Sequence, residues 1–237
     1  MRAMILAAGR GERMRPLTDT LPKPLIPVAG KPLIQWHIEK LAAAGITEIV
    51  INHAWLGARI EQTLQDGRQW GVRIQYSAET VALETAGGIA TALPLLGTDP
   101  FLVMNGDIWC DWSPLQALKI GKHLSQSAQQ AWLLLVPNPD HHPKGDFGLT
   151  EDGRVTDTDV RATSITASNA PKHTFSGIGV YQPSLFADIP AHQPAKLAPL
   201  LRDAIARERI IGQLHHGAWI DVGTPERLYT LEYMLKH

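Results

Sequence analysis

Apolar residues in the first half of the chain follow two rhythms: short unbroken runs, and stretches spaced by three or four. Residues 3–8 (AMILAA) are a run closed by a glycine, which predicts a buried strand. Pro32 suits the first position of a helix, and Ile34, Ile38 and Leu41 then recur at helical spacing until Gly45. The alternation continues with a strand at 48–52 (EIVIN) and a helix marked by Leu56, Ile60 and Leu64. It then predicts a strand at 72–77, a helix at 85–95 and a strand at 101–105. A helix at 115–124 and an apolar strand at 131–136 complete this half. Strand and helix in strict alternation imply an α/β fold, Rossmann-like, with a mostly parallel sheet flanked by helices. Ligands of such sheets sit beyond the carboxyl ends of the strands, so the loop after Ala8 and the residues after Met104 are the places to look.

The second half is less regular. Residues 137–145 are rich in Pro, His and Asp and predict a loop; 147–150 and 154–158, joined by Glu151-Asp152-Gly153, predict a hairpin. A strand at 177–181, a helix at 198–206, a strand at 210–215 and a helix at 225–235 capped by Thr224 follow. No repeat or long linker divides the chain. The expectation is one domain, 1–237, with a nucleotide-binding core over 1–136 and a small β-rich sugar-binding lid region over 137–237.

Composition narrows the function. The 237 residues carry 22 Lys+Arg against 23 Asp+Glu, a net charge of −1, and are 44% hydrophobic, which excludes a disordered chain. A balanced charge argues against a nucleic-acid partner. Cys110 is alone and cannot form an internal disulfide, and the first apolar run is too short for a signal core or membrane span. The expectation is a cytoplasmic protein without a membrane partner, a monomer or weak homodimer.

Residues 6–32 read LAAGRGERMRPLTDTLPKPLIPVAGKP, a strand followed by a Gly- and Pro-punctuated loop with Arg10, Arg13, Arg15 and Lys23. Backbone amides of Leu6, Ala7, Ala8, Gly9, Arg10 and Gly11 can approach phosphates closely, with the cations neutralising their charge. A dinucleotide fingerprint fails, because position 14 is Met14 and the second strand ends in Asn52 instead of an acid. Gly30-Lys31 and Gly121-Lys122 precede Pro32 and His123, so neither is a Walker A loop. Asp107 follows the fourth strand at the sheet's carboxyl edge, where a carboxylate plus phosphates can hold Mg²⁺. Asp111 lies four positions on, which leaves no D-x-D and disfavours a glycosyltransferase.

This segment resembles the signature of the sugar-phosphate nucleotidyltransferases, L-A-A-G-x-G-[ST]-R-[ML]-x-P-L-T with K-P-[ML]-x-P-[VI] and G-K-P, and further landmarks follow down the chain. Glu12 stands where that family has Ser or Thr. The resemblance implies transfer of a nucleotidyl group from an NTP to a sugar 1-phosphate, with Lys23 on the α-phosphate and Arg13 on the leaving pyrophosphate. Trp219-Ile220-Asp221-Val222-Gly223-Thr224-Pro225 resembles the family's W-x-D-x-G-T-P, which makes Asp221 a second Mg²⁺ ligand beside Asp107; the alternative is a helix-capping turn. Glu79, Gly87 and Asn105 fall at nucleotide-contacting positions, a carboxylate at Glu79 suiting the imide of uracil or equally guanine N1–H. Glu84 replaces a glycine there. Gly148 and Gly177 fall at sugar-contacting positions, but the family's E-K-P motif is missing; Asn169 stands in its region, where its amide could hydrogen-bond sugar hydroxyls. The pair NPDHHPKGDFGL and FSGIGVY resembles the branch that uses UTP and N-acetylmuramate 1-phosphate in cell-wall recycling; Lys144 or Arg202 would meet the lactyl carboxylate. The adjacent pairs His141-His142 and His215-His216 point to opposite sides of extended chain and suit no shared metal.

Overall fold

A computed structural model describes residues 1–157 and 171–237. In chain order the strands and helices begin with β1 (Ala3–Leu6), α1 (Leu17–Thr20), the small ribbon β2 (Pro27–Val28) and β3 (Lys31–Pro32), and α2 (Leu33–Ala43). Next come β4 (Glu48–His53), α3 (Gly57–Leu64), β5 (Arg73–Ala78), α4 (Glu84–Leu96), β6 (Phe101–Asn105), β7 (Ile108–Cys110), α5 (Leu115–Ser125) and β8 (Ala131–Val136). The remainder is β9 (Phe147–Leu149), β10 (Val155–Thr156), β11 (Lys172–Tyr181), α6 (Leu197–Ala206), β12 (Ile210–Leu214), β13 (Trp219–Asp221) and α7 (Pro225–Lys236).

Nine of these strands form one sheet, with the path β5-β4-β1-β6-β11-β8-β12 and the β9–β10 hairpin laid on the start of β11. The first four strands are parallel, as the alternation predicts. β11 departs from it: the strand inserts between β6 and β8 and runs antiparallel to both. Its second half, 177–181, is buried on both faces, so the pattern there does not reveal its direction. Alternation within strands divides the core. Ala3, Ile5, Ile49, Ile51 and Met104 pack under α2, α3 and α5, whereas Met4, Val50 and Val103 pack under α4 and α6. A third cluster, with Met14, Val28, Leu33 and Val222, lies beneath α7.

Because β4 lies on one side of β1 and β6 on the other, the chain order switches direction at β1. Leu6 is in register with both Asn52 and Asn105, so three strands end in one row at this switch point. Beyond that row, β13 returns to pair antiparallel with β7, Asp221 opposite Ile108. Both strands are three residues long, too short to leave a periodicity in the sequence. No described helix is long and apolar enough to cross a membrane.

Candidate active site

A cavity of about 350 Å³ opens at the switch point, lined by Leu6–Gly9, Lys23, Pro24, Asn52, residues 82, 84 and 85, and Asn105–Asp107. Its floor rests on a buried polar chain. Ala7 N–H donates to Asn52 Oδ1 at 3.0 Å, Asn52 Nδ2 donates to Glu79 Oε1 at 2.7 Å, and Leu83 N–H donates to Glu79 Oε2 at 2.9 Å. Glu79 therefore supports the wall from behind, both oxygens engaged, instead of facing the cavity. Gly88 makes room for this chain: a Cβ there would sit 2.8 Å from Glu79 Oε1 and 2.9 Å from Asn52 Nδ2. Gly87 faces away from the cavity, against the Gln193 carbonyl, 2.2 Å from where its Cβ would be. Gly106 passes over the end of β1, donating to the Leu6 carbonyl at 2.8 Å and leaving no space for a Cβ.

Lys23 is 7% exposed, in a tight turn begun by Pro22, and its Nζ donates to Asp107 Oδ2 at 2.6 Å. Gly11, at φ +70, brings the glycine loop against the Lys23 stem. The Asp107 carbonyl accepts from Val222 N–H at 2.7 Å, so the β7–β13 pairing brings the backbones at Asp107 and Asp221, far apart in sequence, side by side. Arg227 Nη1 and His141 Nε2 lie 3.0 Å and 3.1 Å from the same Asp221 oxygen. Neither contact has hydrogen-bond geometry, so that buried oxygen has ion-pair neighbours but no hydrogen-bond partner among the described residues. Carboxylates are the hard donors that a divalent cation takes, and Asp107 and Asp221 are the two that would hold one. Gly223 lets Arg13 and Arg227 converge, 3.1 Å and 2.1 Å from where its Cβ would stand. Arg13 is exposed and has no hydrogen bond or ion pair with any described residue.

The other loop cations are engaged elsewhere. Arg10 stacks over Trp55 at 3.6 Å, donates to the Thr18 carbonyl and lies 3.5 Å from Asp19, while Arg15 donates to Asp19 at 2.7 Å. The Arg10 guanidinium is thus held within the loop, which it stiffens. Gly177, at φ +82, admits the Asn105 side chain, whose Nδ2 lies 2.6 Å from where a Cβ would be. Gly148 lies in β9, buried, in register with Lys172 and Thr156. Asn169 falls outside the described residues. Arg202 is not free for a substrate carboxylate, since its Nε donates to buried Asp157 at 2.7 Å, whereas Lys144 is exposed. The histidine neighbours diverge as expected, His141 to Asp221 and His142 to Asp146. Trp109 and Trp112 are core residues, Trp112 stacked on Trp132. Cys110, Asp111 and His215 also cluster, at the other end of β7. Burial pushes the Cys110 thiol up to about 11, so without a metal it keeps its proton at neutral pH.

Sequence reasoning did not single out Asn52, Arg227 or His141 as parts of the site. Two signals were present: a polar residue ending an apolar strand, and a cation in the first turn of α7, where the helix dipole disfavours it.

A family profile described as Nucleotidyl transferase matches residues 2–237. The chain belongs to the nucleotidyl transferase family. A Neisseria meningitidis serogroup B protein named N-acetylmuramate alpha-1-phosphate uridylyltransferase is 55% identical over 229 residues, covering 96% of this chain and 95% of that one. A Caulobacter vibrioides protein of the same name is 35% identical, covering 98% and 96%. Among solved structures, a provisional glucose-1-phosphate thymidylyltransferase from Bacillus anthracis superposes with a TM-score of 0.80 at 22% identity, covering 99% and 94%. At that identity the likeness is one of fold. This nucleotidyltransferase thus has the mixed, mostly parallel sheet of the nucleotide-diphospho-sugar transferases.

Proposed function

We propose that the protein transfers a uridylyl group from UTP to N-acetylmuramate 1-phosphate, giving UDP-N-acetylmuramate and pyrophosphate. The observation that carries this reading is the 55% identity, end to end, with the Neisseria protein of that name. The switch-point cavity, lined by Lys23 and Asp107, with Asp221 on the strand paired to β7 just beyond Asp107, supports it.

A phosphate oxygen of the sugar phosphate attacks the α-phosphorus in line. The new P–O bond forms as the bond from the α-phosphorus to the bridging oxygen breaks, and pyrophosphate departs with the electron pair. The nucleophile is already an anion, so no general base is required. Catalysis is positioning and charge stabilisation. Lys23 exchanges Asp107 for an α-phosphate oxygen, at little entropic cost because Pro22 and Pro24 already fix its backbone. Arg13 and Arg227 face the β- and γ-phosphates across Gly223. Asp107 and Asp221 would hold a divalent cation, taken as Mg²⁺, whose charge offsets that developing on the phosphates. The loop at 137–145, tied to the site through His141, forms the sugar side with β9, β10 and β11.

The test is pyrophosphate release, crossing UTP, dTTP, GTP and CTP with the 1-phosphates of N-acetylmuramate, N-acetylglucosamine, glucose and mannose. Release confined to UTP with N-acetylmuramate 1-phosphate is expected. Release with another pair keeps the mechanism and overturns the substrate; a folded, nucleotide-binding protein that releases nothing overturns the catalytic reading.

A further inference from the structure

At the end of β7 away from Asp107, three side chains of different chemistry meet. The Cys110 thiol, the Asp111 carboxylate and the His215 imidazole each bring one ligand atom, and the three atoms lie within 4.8 Å of one another. The backbone holds each in place. Asp111 N–H donates to the Ala218 carbonyl at 3.0 Å, and Ala218 N–H donates back to Asp111 Oδ2, also at 3.0 Å. Asp111 Oδ1 is left to face His215 Nε2, 2.5 Å away. His215 N–H is fixed to the Leu135 carbonyl at 2.8 Å, and Trp112 N–H donates to Cys110 Sγ at 3.5 Å. Gly217 leaves room for the meeting, because a Cβ there would collide with both Asp111 Oδ1 and His215 Nε2. The Lys40 ammonium is engaged with the Cys110 carbonyl and the Trp109 ring, so it occupies none of the three ligand atoms. An ion pair accounts for Asp111 and His215, but not for the chain's one thiol beside them.

We infer that Cys110, Asp111 and His215 form a transition-metal site of the Zn²⁺ class, separate from the carboxylates at Asp107 and Asp221. Sulfur and imidazole nitrogen select a borderline ion such as Zn²⁺, whereas Mg²⁺ takes oxygen donors. A tetrahedral zinc with bonds of about 2.0–2.3 Å holds its ligand atoms about 3.3–3.8 Å apart, so small side-chain rotations suffice. Three protein ligands leave a fourth position for water, on the side of exposed Asp111. As the metal–sulfur bond forms, the thiol proton passes to solvent. The Asp111–His215 hydrogen bond opens, and His215 binds through Nε2 as its Nδ1–H tautomer. Thiolate and carboxylate, set against the Lys40 ammonium, leave one net negative charge to meet the dication. The ion fastens the turn between β12 and β13 to β7, and β13 is the strand that carries Asp221.

The test is titration of the full chain, without nucleotide, with Co²⁺ and then Zn²⁺, in wild type, Asp111→Asn, His215→Ala and Cys110→Ser, with melting temperatures. Cys110 is the chain's single cysteine, so a thiolate-to-cobalt charge-transfer band in the near ultraviolet reports on this site alone. Wild type is expected to bind one Co²⁺ with that band, to keep it in excess Mg²⁺, and to lose it when Zn²⁺ displaces the cobalt. Zn²⁺ at a hundredfold excess over its dissociation constant is expected to raise Tm by about 5 °C or more, and to do so less in His215→Ala. Asp111→Asn and His215→Ala are each expected to weaken Co²⁺ binding by about tenfold or more, and Cys110→Ser to lose the band. Wild type without the band overturns the proposal. A band of unchanged affinity in Asp111→Asn or His215→Ala overturns it too, because the thiol then binds without that partner. The Asp111 and His215 side chains reach solvent, so their variants decide the matter even where Cys110→Ser, altered in the core, fails to fold.

Discussion

Glycine to alanine inside a helix ordinarily stabilises a protein by about 1 kcal/mol, and Gly88 in α4 is expected to do the opposite. The new Cβ would lie 2.8 Å from Glu79 Oε1 and 2.9 Å from Asn52 Nδ2, where ordinary contact requires about half an ångström more. Those two atoms are hydrogen-bonded to each other at 2.7 Å, and Asn52 is 2% exposed, so neither can retreat into water. Separating them costs about 1.5–3 kcal/mol, as for a buried hydrogen bond to a charged acceptor. Against the helical gain, the net is a loss of about 0.5–2 kcal/mol, or about 1–8 °C in Tm for a chain of this size. Gly121 in α5 is the matched control. There the new Cβ meets the Met1 methyl at 2.2 Å, the free end of a flexible side chain that can swing aside. Gly121→Ala is expected to raise Tm by about 2–4 °C. Calorimetric melts of both variants, with UTP titrations, check the pair: Gly88→Ala is expected also to weaken UTP binding, because Ala7 and Leu83 both rely on that chain. A Gly88→Ala protein that melts as high as Gly121→Ala and binds UTP normally would refute the reasoning.

Other predictions concern charge. Lys23→Met is expected to lower kcat by about 10²–10³-fold with a much smaller change in UTP affinity, the sign of an interaction made chiefly in the transition state; a loss confined to KM contradicts it. Asp107→Asn and Asp221→Asn are each expected to weaken Mn²⁺ binding, followed by electron paramagnetic resonance with UTP present; an unchanged titration for either variant removes that residue from the metal site. His37 is buried in α2, and burial first, then the Lys40 ammonium, pushes its pKa from 6.5 down to about 4. The unfolded chain therefore takes up a proton below pH 6.5 that the native state refuses until about pH 4, and stability falls with pH across that window by about 1.4 kcal/mol per unit. His37→Leu is expected to remove about 2 kcal/mol of the loss between pH 6.5 and 5 in urea titrations; identical slopes for both proteins would exclude the assignment.

Much of the parallel core was readable from the sequence because its strands are unbroken apolar runs and its helices keep their spacing. Leu56, Ile60 and Leu64 marked α3, and Thr224 caps α7 as expected, its side chain accepting from Arg227 N–H. The direction of β11 was not readable, since burial on both faces erases the distinction between parallel and antiparallel. β7 and β13 were hidden for a different reason, as three residues cannot show a period. In the site, glycines were recognised more easily than their reasons. Gly87 admits the neighbouring Gln193 backbone and Gly177 admits Asn105, packing tasks that only three-dimensional neighbours reveal. The loop cations looked equivalent in sequence, yet Asp19 draws Arg10 and Arg15 away and leaves Arg13 open.

The pairing of β7 with β13 also sets when, during synthesis, the catalytic centre can exist. The glycine loop, Lys23 and Asp107 leave the ribosome well before Asp221 and Arg227. Until they do, Lys23 faces Asp107 with no second carboxylate to complete a metal site. A nascent or prematurely terminated chain can offer nucleotide a cavity but no complete catalytic centre. On the proposed mechanism, turnover waits until β13 has paired with β7.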